Sequence, residues 1–347
     1  MKGRLPMEFQ THAMMMRGLG GPEVLEYRPL TLDWDPAGDA VLVRLVAAGV
    51  NPADTFFRRL GPYLGPAAGC VLGHDGAGVV QAAGAAVKGL AVGDRVCFCH
   101  GGVGGVPGTY AEHAVVPAAL AVKVPDAVRL EDAAAIALVF ITGWEAMIER
   151  AQVGAGDLVL IHGGAGGTGQ MATQIACSRG ARVVTTVSSA EKAQLSRQAG
   201  AEHVINYRAQ DFAAEVMAWS DEQGVRAVLY NIGGAAALQS LRVMAPYGHF
   251  VTLMGGVSDT DEATAYNANL TIHNLMMLTP MWQGLQGHLL RQADILRRAM
   301  NWLDTGRAYV RTQARFTLRE AARAHELLEA GGNSGKLILT MPQTDHG

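Results

Sequence analysis

Residues 158–189 read LVLIHGGAGGTGQMATQIACSRGARVVTTVSS, and this stretch decides the fold. It opens on Leu158-Val159-Leu160-Ile161, a continuous apolar run that reads as a strand buried on both faces. Gly164, Gly166 and Gly169 then fit the spacing G-x-G-x-x-G, with Gly167 and Thr168 inside it. A helix pattern follows, with Met171 and Ile175 one turn apart, and Gly180 stands where that helix would end. Val183 to Val187 reads as a second strand. Strand, glycine loop, helix and strand within about 30 residues form the setting in which this weak motif becomes a strong one. One glycine makes the tight turn, one lets backbone N–H groups approach a pyrophosphate, and one lets helix and strand pack closely. The helix N-terminus adds partial positive charge toward the phosphates. Gly164, Gly166, Gly167, Thr168 and Gly169 are therefore candidate cofactor-binding residues. The bland alternative is a glycine-rich turn with no ligand.

The end of the second strand bears on which dinucleotide is bound. An NAD site places a carboxylate about 20 residues past the glycines, on the ribose 2′-hydroxyl. Here Ser188 occupies that place, followed by Ser189, and the nearest carboxylate is Glu191, itself followed by Lys192. Two hydroxyls and an ammonium supply donors and positive charge to a 2′-phosphate without repelling it. NADPH is therefore the expected cofactor. Ser189 also reads as a helix N-cap, and Lys192 also reads as a solvated lysine.

A chain of 347 residues suggests two domains and is long enough to bury a large core. Its net charge of −3 argues against nucleic acid or an anionic membrane as the main partner. No apolar run reaches the roughly 18 residues of a transmembrane helix, and residues 1–13 lack the apolar segment of a signal peptide. The four cysteines, Cys70, Cys97, Cys99 and Cys177, are then expected as free thiols in the cytoplasm.

Residues 1–13 read as a disordered lead-in, with the first regular element starting near Met14. Residues 14–132 read as short strands separated by turns, including AVLVRLVAAGV at 40–50 and a short helix over 54–59. Residues 131–150 read as helical with an interruption near Ile141-Thr142-Gly143. After the glycine unit, strands are expected near 204–207, 227–230, 250–254 and 270–278, alternating with helices. That makes six strands of a doubly wound α/β parallel sheet. A long helix over 289–304, another over 317–330 and the strand GKLILT at 335–340 close the chain.

Several short motifs carry a resemblance. They are GVNPAD (49–54), GHDGAG (73–78), VGDRV (92–96), GTYAE (108–112), Thr142-Gly143, the 164–169 loop, Glu191-Lys192-Ala193, Gly200-Ala201, Ile205-Asn206-Tyr207 and Gly335-Lys336-Leu337. In this order the chain resembles the medium-chain dehydrogenase/reductase superfamily, and within it the zinc-independent quinone oxidoreductase branch. The resemblance implies a β-rich GroES-like catalytic domain over 14–132 with a returning segment over 282–347. It implies a six-stranded Rossmann NADPH-binding domain over 133–281 between them. It implies Asn51 on the nicotinamide side, Thr142 along the cofactor, and Lys192 and Tyr207 at the 2′-phosphate. On residues alone Tyr207 reads as a strand aromatic. A homodimer through the edge strand near 270–278 is also implied.

Zinc alcohol dehydrogenases of this superfamily hold a catalytic metal on cysteine, histidine and cysteine. Here only His74 remains, with Asn51 and Leu138 at the other two places. One ligand does not hold a catalytic zinc, which takes three from the protein. Cys97-Phe98-Cys99-His100 lacks the usual C-x₂-C spacing, and His74 reads as a cleft residue or a satisfied structural histidine. Without a Lewis acid an alcohol has nothing to lower its pKa, whereas a quinone or an α,β-unsaturated carbonyl takes up hydride with less help. Asn51 is a candidate catalytic residue, able to donate to a carbonyl or to the nicotinamide amide. Tyr63 is the second candidate, a phenol for orienting a carbonyl or giving a proton, or else a turn tyrosine after Gly61-Pro62. Phe56 stands where some relatives carry tyrosine. The competing readings are a zinc-type alcohol dehydrogenase and an NADPH-binding protein with little turnover.

Overall fold

The computed structural model describes residues 7–234, 236–255 and 259–342. Two compact units divide the chain. One joins residues up to 138 with those from 278 onward, and the other comprises 139–277. The divisions therefore fall a few residues from those expected at 132/133 and 281/282.

In the unit 139–277 six strands form one parallel sheet. Their spatial order is His203–Asn206, Arg182–Val187, Leu158–Ile161, Val225–Tyr230, Met244–Thr252 and Thr271–Asn274. The first strand in sequence is thus central, and the chain winds outward from it in one direction and then the other. Leu160, Val184, Ile205, Val228 and Phe250 are all completely buried, as a sheet covered on both faces requires. The switch point lies between Leu158–Ile161 and Val225–Tyr230, and in such sheets ligands sit beyond the carboxyl ends of the strands at that point.

Two expectations change. The interruption near Ile141-Thr142-Gly143 is absent: one helix spans Leu130–Trp144 and continues as a π-helical turn, Glu145–Arg150. A Cβ on Gly143 would lie 3.1 Å from Ile175 Cδ1 and 3.3 Å from the Ala172 nitrogen. Gly143 thus lets two helices approach closely rather than breaking one. The strand expected over 270–278 is only Thr271–Asn274, and Leu278 is already the N-cap of a short helix, Thr279–Gln283, with Pro280 in its first turn.

The other unit is β-rich. Thr312–Thr317, Lys336–Thr340, Ala40–Val50, Asp75–Ala83, Arg95–Cys99 and Val122–Lys123 follow one another in its main sheet, and His113–Pro117 also pairs with Ala40–Val50. Met7–Met16 forms a hairpin with Leu25–Trp34, paired from Met7↔Trp34 to Met16↔Leu25. Regular structure thus begins at Met7 rather than near Met14; residues 1–6 of the expected lead-in lie outside the described residues. Only the second half of that strand is mostly buried, so its first half carries little apolar alternation to read. The returning strand Lys336–Thr340 runs antiparallel to Ala40–Val50, with Leu337 opposite Val50. This pairing brings Lys336 beside Asn51, 285 residues away in sequence.

Candidate active site

In the unit 139–277 the glycine loop leaves the central strand and enters the helix Gly167–Ser178, whose N-cap, Gly166, contributes no side-chain hydrogen bond. The N–H groups of the first helical turn are therefore not occupied by a capping side chain, which is the arrangement that binds a phosphate. The other glycines are there for closeness. A Cβ on Gly164 would lie 2.5 Å from Thr185 Cβ, and one on Gly169 would lie 2.2 Å from the Gly163 carbonyl oxygen. The latter neighbour is backbone and cannot yield. Gly169→Ala is accordingly expected to displace the loop and weaken dinucleotide binding roughly five- to hundredfold, the scale of a 1–3 kcal/mol overpacking cost. Calorimetric titration with NADPH reads this, and unchanged affinity would show that the loop does not hold the dinucleotide.

His162, between strand and loop, fixes the base of this region and has no counterpart in the sequence reading. It is 1% exposed. Ser240 Oγ donates to the Ala236 carbonyl at 2.7 Å, which leaves it to accept from His162 Nε2 at 2.8 Å. His162 Nδ1 then accepts from Thr186 Oγ1 at 3.0 Å. Burial pushes the imidazole pKa down to about 4, which suits a ring that donates on one side and accepts on the other. The signal in the sequence is a lone polar residue between an apolar strand and a glycine loop.

At the end of the second strand Lys192 Nζ donates to Ser188 Oγ at 3.0 Å. Ser189 is the N-cap of the helix Ala190–Gln198 and accepts from the Lys192 backbone N–H at 3.3 Å. Glu191 is exposed. Tyr207 donates its backbone N–H to the Val187 carbonyl at 3.1 Å, which sets it beside the Ser188 end of the strand, and it is 50% exposed. Ser188, Lys192 and Tyr207 thus share one strand-end neighbourhood. Thr142 lies in the helix Leu130–Trp144 and is buried.

The β-rich unit holds the other candidates. Asn51, 1% exposed, caps the helix Pro52–Leu60. Its Nδ2 donates to Asp75 Oδ1 at 2.7 Å, and its Oδ1 accepts from Lys336 Nζ. Lys336 also donates to the Val50 carbonyl at 3.2 Å and lies 3.7 Å from Asp75 Oδ2. The Leu138 backbone N–H donates to the same carboxylate oxygen at 3.3 Å. Asn51, Leu138 and Lys336 therefore converge on Asp75. One amide hydrogen of Asn51 is taken by Asp75, so its capacity as a donor narrows to the other. Sequence reasoning gave Lys336 no role. The legible signal was a lysine in GKLILT, where the strand residues 336–339 are all buried.

His74 is fully buried, with Nδ1 3.0 Å from the Gly101 carbonyl and Nε2 3.3 Å from Asp54 Oδ1. Nδ1 is held by that carbonyl, whereas Nε2 makes no hydrogen bond among the described residues and lies only within ion-pair distance of Asp54. Asp54 also accepts from the Asn51 N–H at 2.7 Å, the Tyr110 hydroxyl at 3.0 Å and the Gly73 N–H at 3.2 Å. Burial raises its pKa, and His74 pulls the other way. Cys97 is buried and its thiol pKa is pushed far up by desolvation, which makes it a poor metal ligand. Among the described residues no group of three or more His, Cys, Asp or Glu side chains could hold a metal ion.

Tyr63 follows the helix Pro52–Leu60 and is 45% exposed. Its ring stacks on Trp282, with centroids 4.0 Å apart.

Known proteins resemble this chain in sequence and fold. Residues 37–126 match the family model "Alcohol dehydrogenase GroES-like domain" and residues 199–339 match "Zinc-binding dehydrogenase". A quinone oxidoreductase of Pseudomonas aeruginosa is 34% identical over 92% of this chain and 96% of that protein. The solved structure of a mycobacterial protein complexed with NADPH is 33% identical, with a TM-score of 0.82 over 95% of this chain and 99% of that one. A phenolphthiocerol/phthiocerol polyketide synthase polypeptide of Mycobacterium tuberculosis is 33% identical over 89% of this chain, which spans only 14% of that much longer protein. By sequence and fold the chain belongs to the medium-chain dehydrogenase/reductase superfamily, as a zinc-independent, quinone oxidoreductase-like member.

Proposed function

We propose that this chain is an NADPH-dependent, zinc-independent oxidoreductase that reduces a quinone or an α,β-unsaturated carbonyl. The observation that carries the cofactor choice is the Lys192–Ser188 contact at a strand end without a carboxylate. The substrate class is supported by the name of the Pseudomonas relative and by the chemistry of the converging positions. Where the zinc enzymes have three ligands, this chain offers an amide, a leucine and one fully buried histidine, and one protein ligand does not hold a catalytic zinc.

NADPH, when bound, supplies the hydride. The uncapped first turn of Gly167–Ser178 binds the pyrophosphate, and Ser188, Ser189, Lys192 and Tyr207 receive the 2′-phosphate. Thr142 lies along the cofactor. Asn51, fixed by Asp75 and Lys336, keeps one amide hydrogen for the nicotinamide side. Tyr63 donates its hydroxyl to the substrate carbonyl, and conjugation spreads the negative charge that hydride addition creates. The proton that completes reduction comes from water, so the protein contributes orientation and exclusion of bulk solvent. We also propose a homodimer through the free edge of Thr271–Asn274, the last strand of its sheet, and residence in the cytoplasm.

The test is NADPH oxidation against a panel of quinones, enones and an enoyl thioester, before and after chelator treatment. Turnover that survives chelation is expected. Activity that follows zinc content would establish the alcohol dehydrogenase reading instead. Binding of NADPH without turnover across the panel would favour a non-enzymatic role.

A further inference from the structure

Four aromatic rings run in a row across the β-rich unit. Trp282 and Tyr63 stack with planes 25° from parallel, Phe57 meets Tyr63 edge-on at 5.2 Å, and Phe56 meets Phe57 at 6.0 Å. Phe57 is 1% exposed and anchors the row in the core, while Phe56 is 40% exposed. Leu60 and Leu64 add exposed apolar surface beside it. The turn bearing Tyr63 is held on the glycine-rich loop 101–108: Leu64 N–H donates to the Val103 carbonyl at 3.0 Å, and a Cβ on Gly104 would lie 1.6 Å from the Leu64 carbonyl oxygen. Only glycine fits at position 104, so the turn bearing Tyr63 packs backbone to backbone on this loop.

The Tyr63 hydroxyl and the Trp282 indole N–H have no hydrogen-bond partner among the described residues. An indole stacked on a phenol is an electron-rich face with two unused donors at its edge. Aromatic side chains prefer offset stacking, and their polar atoms find partners when covered. A flat, electron-poor ring system carrying carbonyl oxygens complements both properties; an acyclic enone complements only the donors.

We propose that Tyr63 and Trp282 form a platform that selects fused-ring quinones over small enones, with Trp282 as the specificity-determining residue. This rests on the reductase reading above. The test compares phenanthrenequinone with methyl vinyl ketone in the wild type, Trp282→Phe and Trp282→Ala. In Trp282→Ala the ratio of kcat/KM for the quinone over the enone is expected to fall roughly tenfold, mainly through KM, and Trp282→Phe is expected to restore most of it. A second readout needs no turnover: in protein saturated with NADP+, phenanthrenequinone is expected to quench tryptophan fluorescence, and Trp282→Phe to lose most of that quenching. Equal losses for both substrates, or quenching unchanged in Trp282→Phe, would overturn the platform. So would a change of oligomeric state in Trp282→Ala with all activities lost together, since the surface is then a contact between copies of this chain. Quenching without turnover of any compound would leave the platform standing and reject the reductase reading.

Discussion

Ser188→Asp is expected to reverse the proposed preference for NADPH, so that the variant binds NADH more tightly. The wild-type strand end offers a hydroxyl and an ammonium 3.0 Å apart, with Glu191 exposed. A charge-assisted hydrogen bond to a phosphate contributes about 1.5–3 kcal/mol, or roughly ten- to hundredfold in affinity. Lys192→Ala removes that contribution and should weaken NADPH by this factor while leaving NADH nearly unchanged. Ser188→Asp goes further, because the new carboxylate accepts from the ribose 2′-hydroxyl of NADH and repels the 2′-phosphate. It also captures the Lys192 ammonium. The measurement is the ratio of dissociation constants for the two cofactors in the wild type and both variants. If the wild type binds both equally and Lys192→Ala leaves the ratio alone, Ser189 is a helix cap and nothing more, and Lys192 is a solvated lysine.

The second large effect concerns a residue far from any motif. Arg58→Met is expected to cost about 3–5 kcal/mol of stability, the usual consequence of removing one partner from a buried charged network. Arg58 is 1% exposed. It donates to both Glu329 oxygens, at 2.7 and 2.8 Å, to the Gly20 carbonyl at 3.1 Å and to His325 Nδ1 at 3.4 Å. His325 Nε2 then donates to Tyr110, whose hydroxyl donates to Asp54, each at 3.0 Å. The row Arg58, His325, Tyr110 thus ends on Asp54, which also accepts from the Asn51 N–H. Arg58→Lys keeps the charge but not the fork, and should fall between the wild type and methionine. Urea unfolding checks this, and a loss below about 1 kcal/mol, the scale of a surface pair, would show the network to be dispensable.

The same network sets an acid limit. Burial, assisted by Arg58, pushes the His325 pKa down to about 3 from 6.5. The unfolded chain therefore binds a proton that the folded chain does not throughout that window, and stability falls as pH drops through it. His162, pushed down to about 4, acts in the same direction.

The sequence by itself determined what depends on neighbours along the chain. The apolar run 158–161, the glycine spacing and the helix after it are local, so the strand–loop–helix–strand unit was legible as a fold element. The inner strands of the sheet were legible for the same reason, because strands buried on both faces read as apolar runs; the edge strands His203–Asn206 and Thr271–Asn274 are only partly buried and give a weaker signal. Tertiary structure decided the rest. Lys336 meets Asn51 only because the last strand pairs with Ala40–Val50. Arg58 is buried because Glu329 and His325, from the far end of the chain, enclose it. Tyr63 and Trp282 stack only because the fold brings the turn after Pro52–Leu60 to the helix Thr279–Gln283. Gly143 read as a break because a glycine's lack of a side chain permits either a turn or a close helix contact, and only the neighbouring helix decides which. Sequence spacing specifies hydrogen bonds within a turn of helix or a hairpin; a buried charge is matched by whichever partner the fold brings to it.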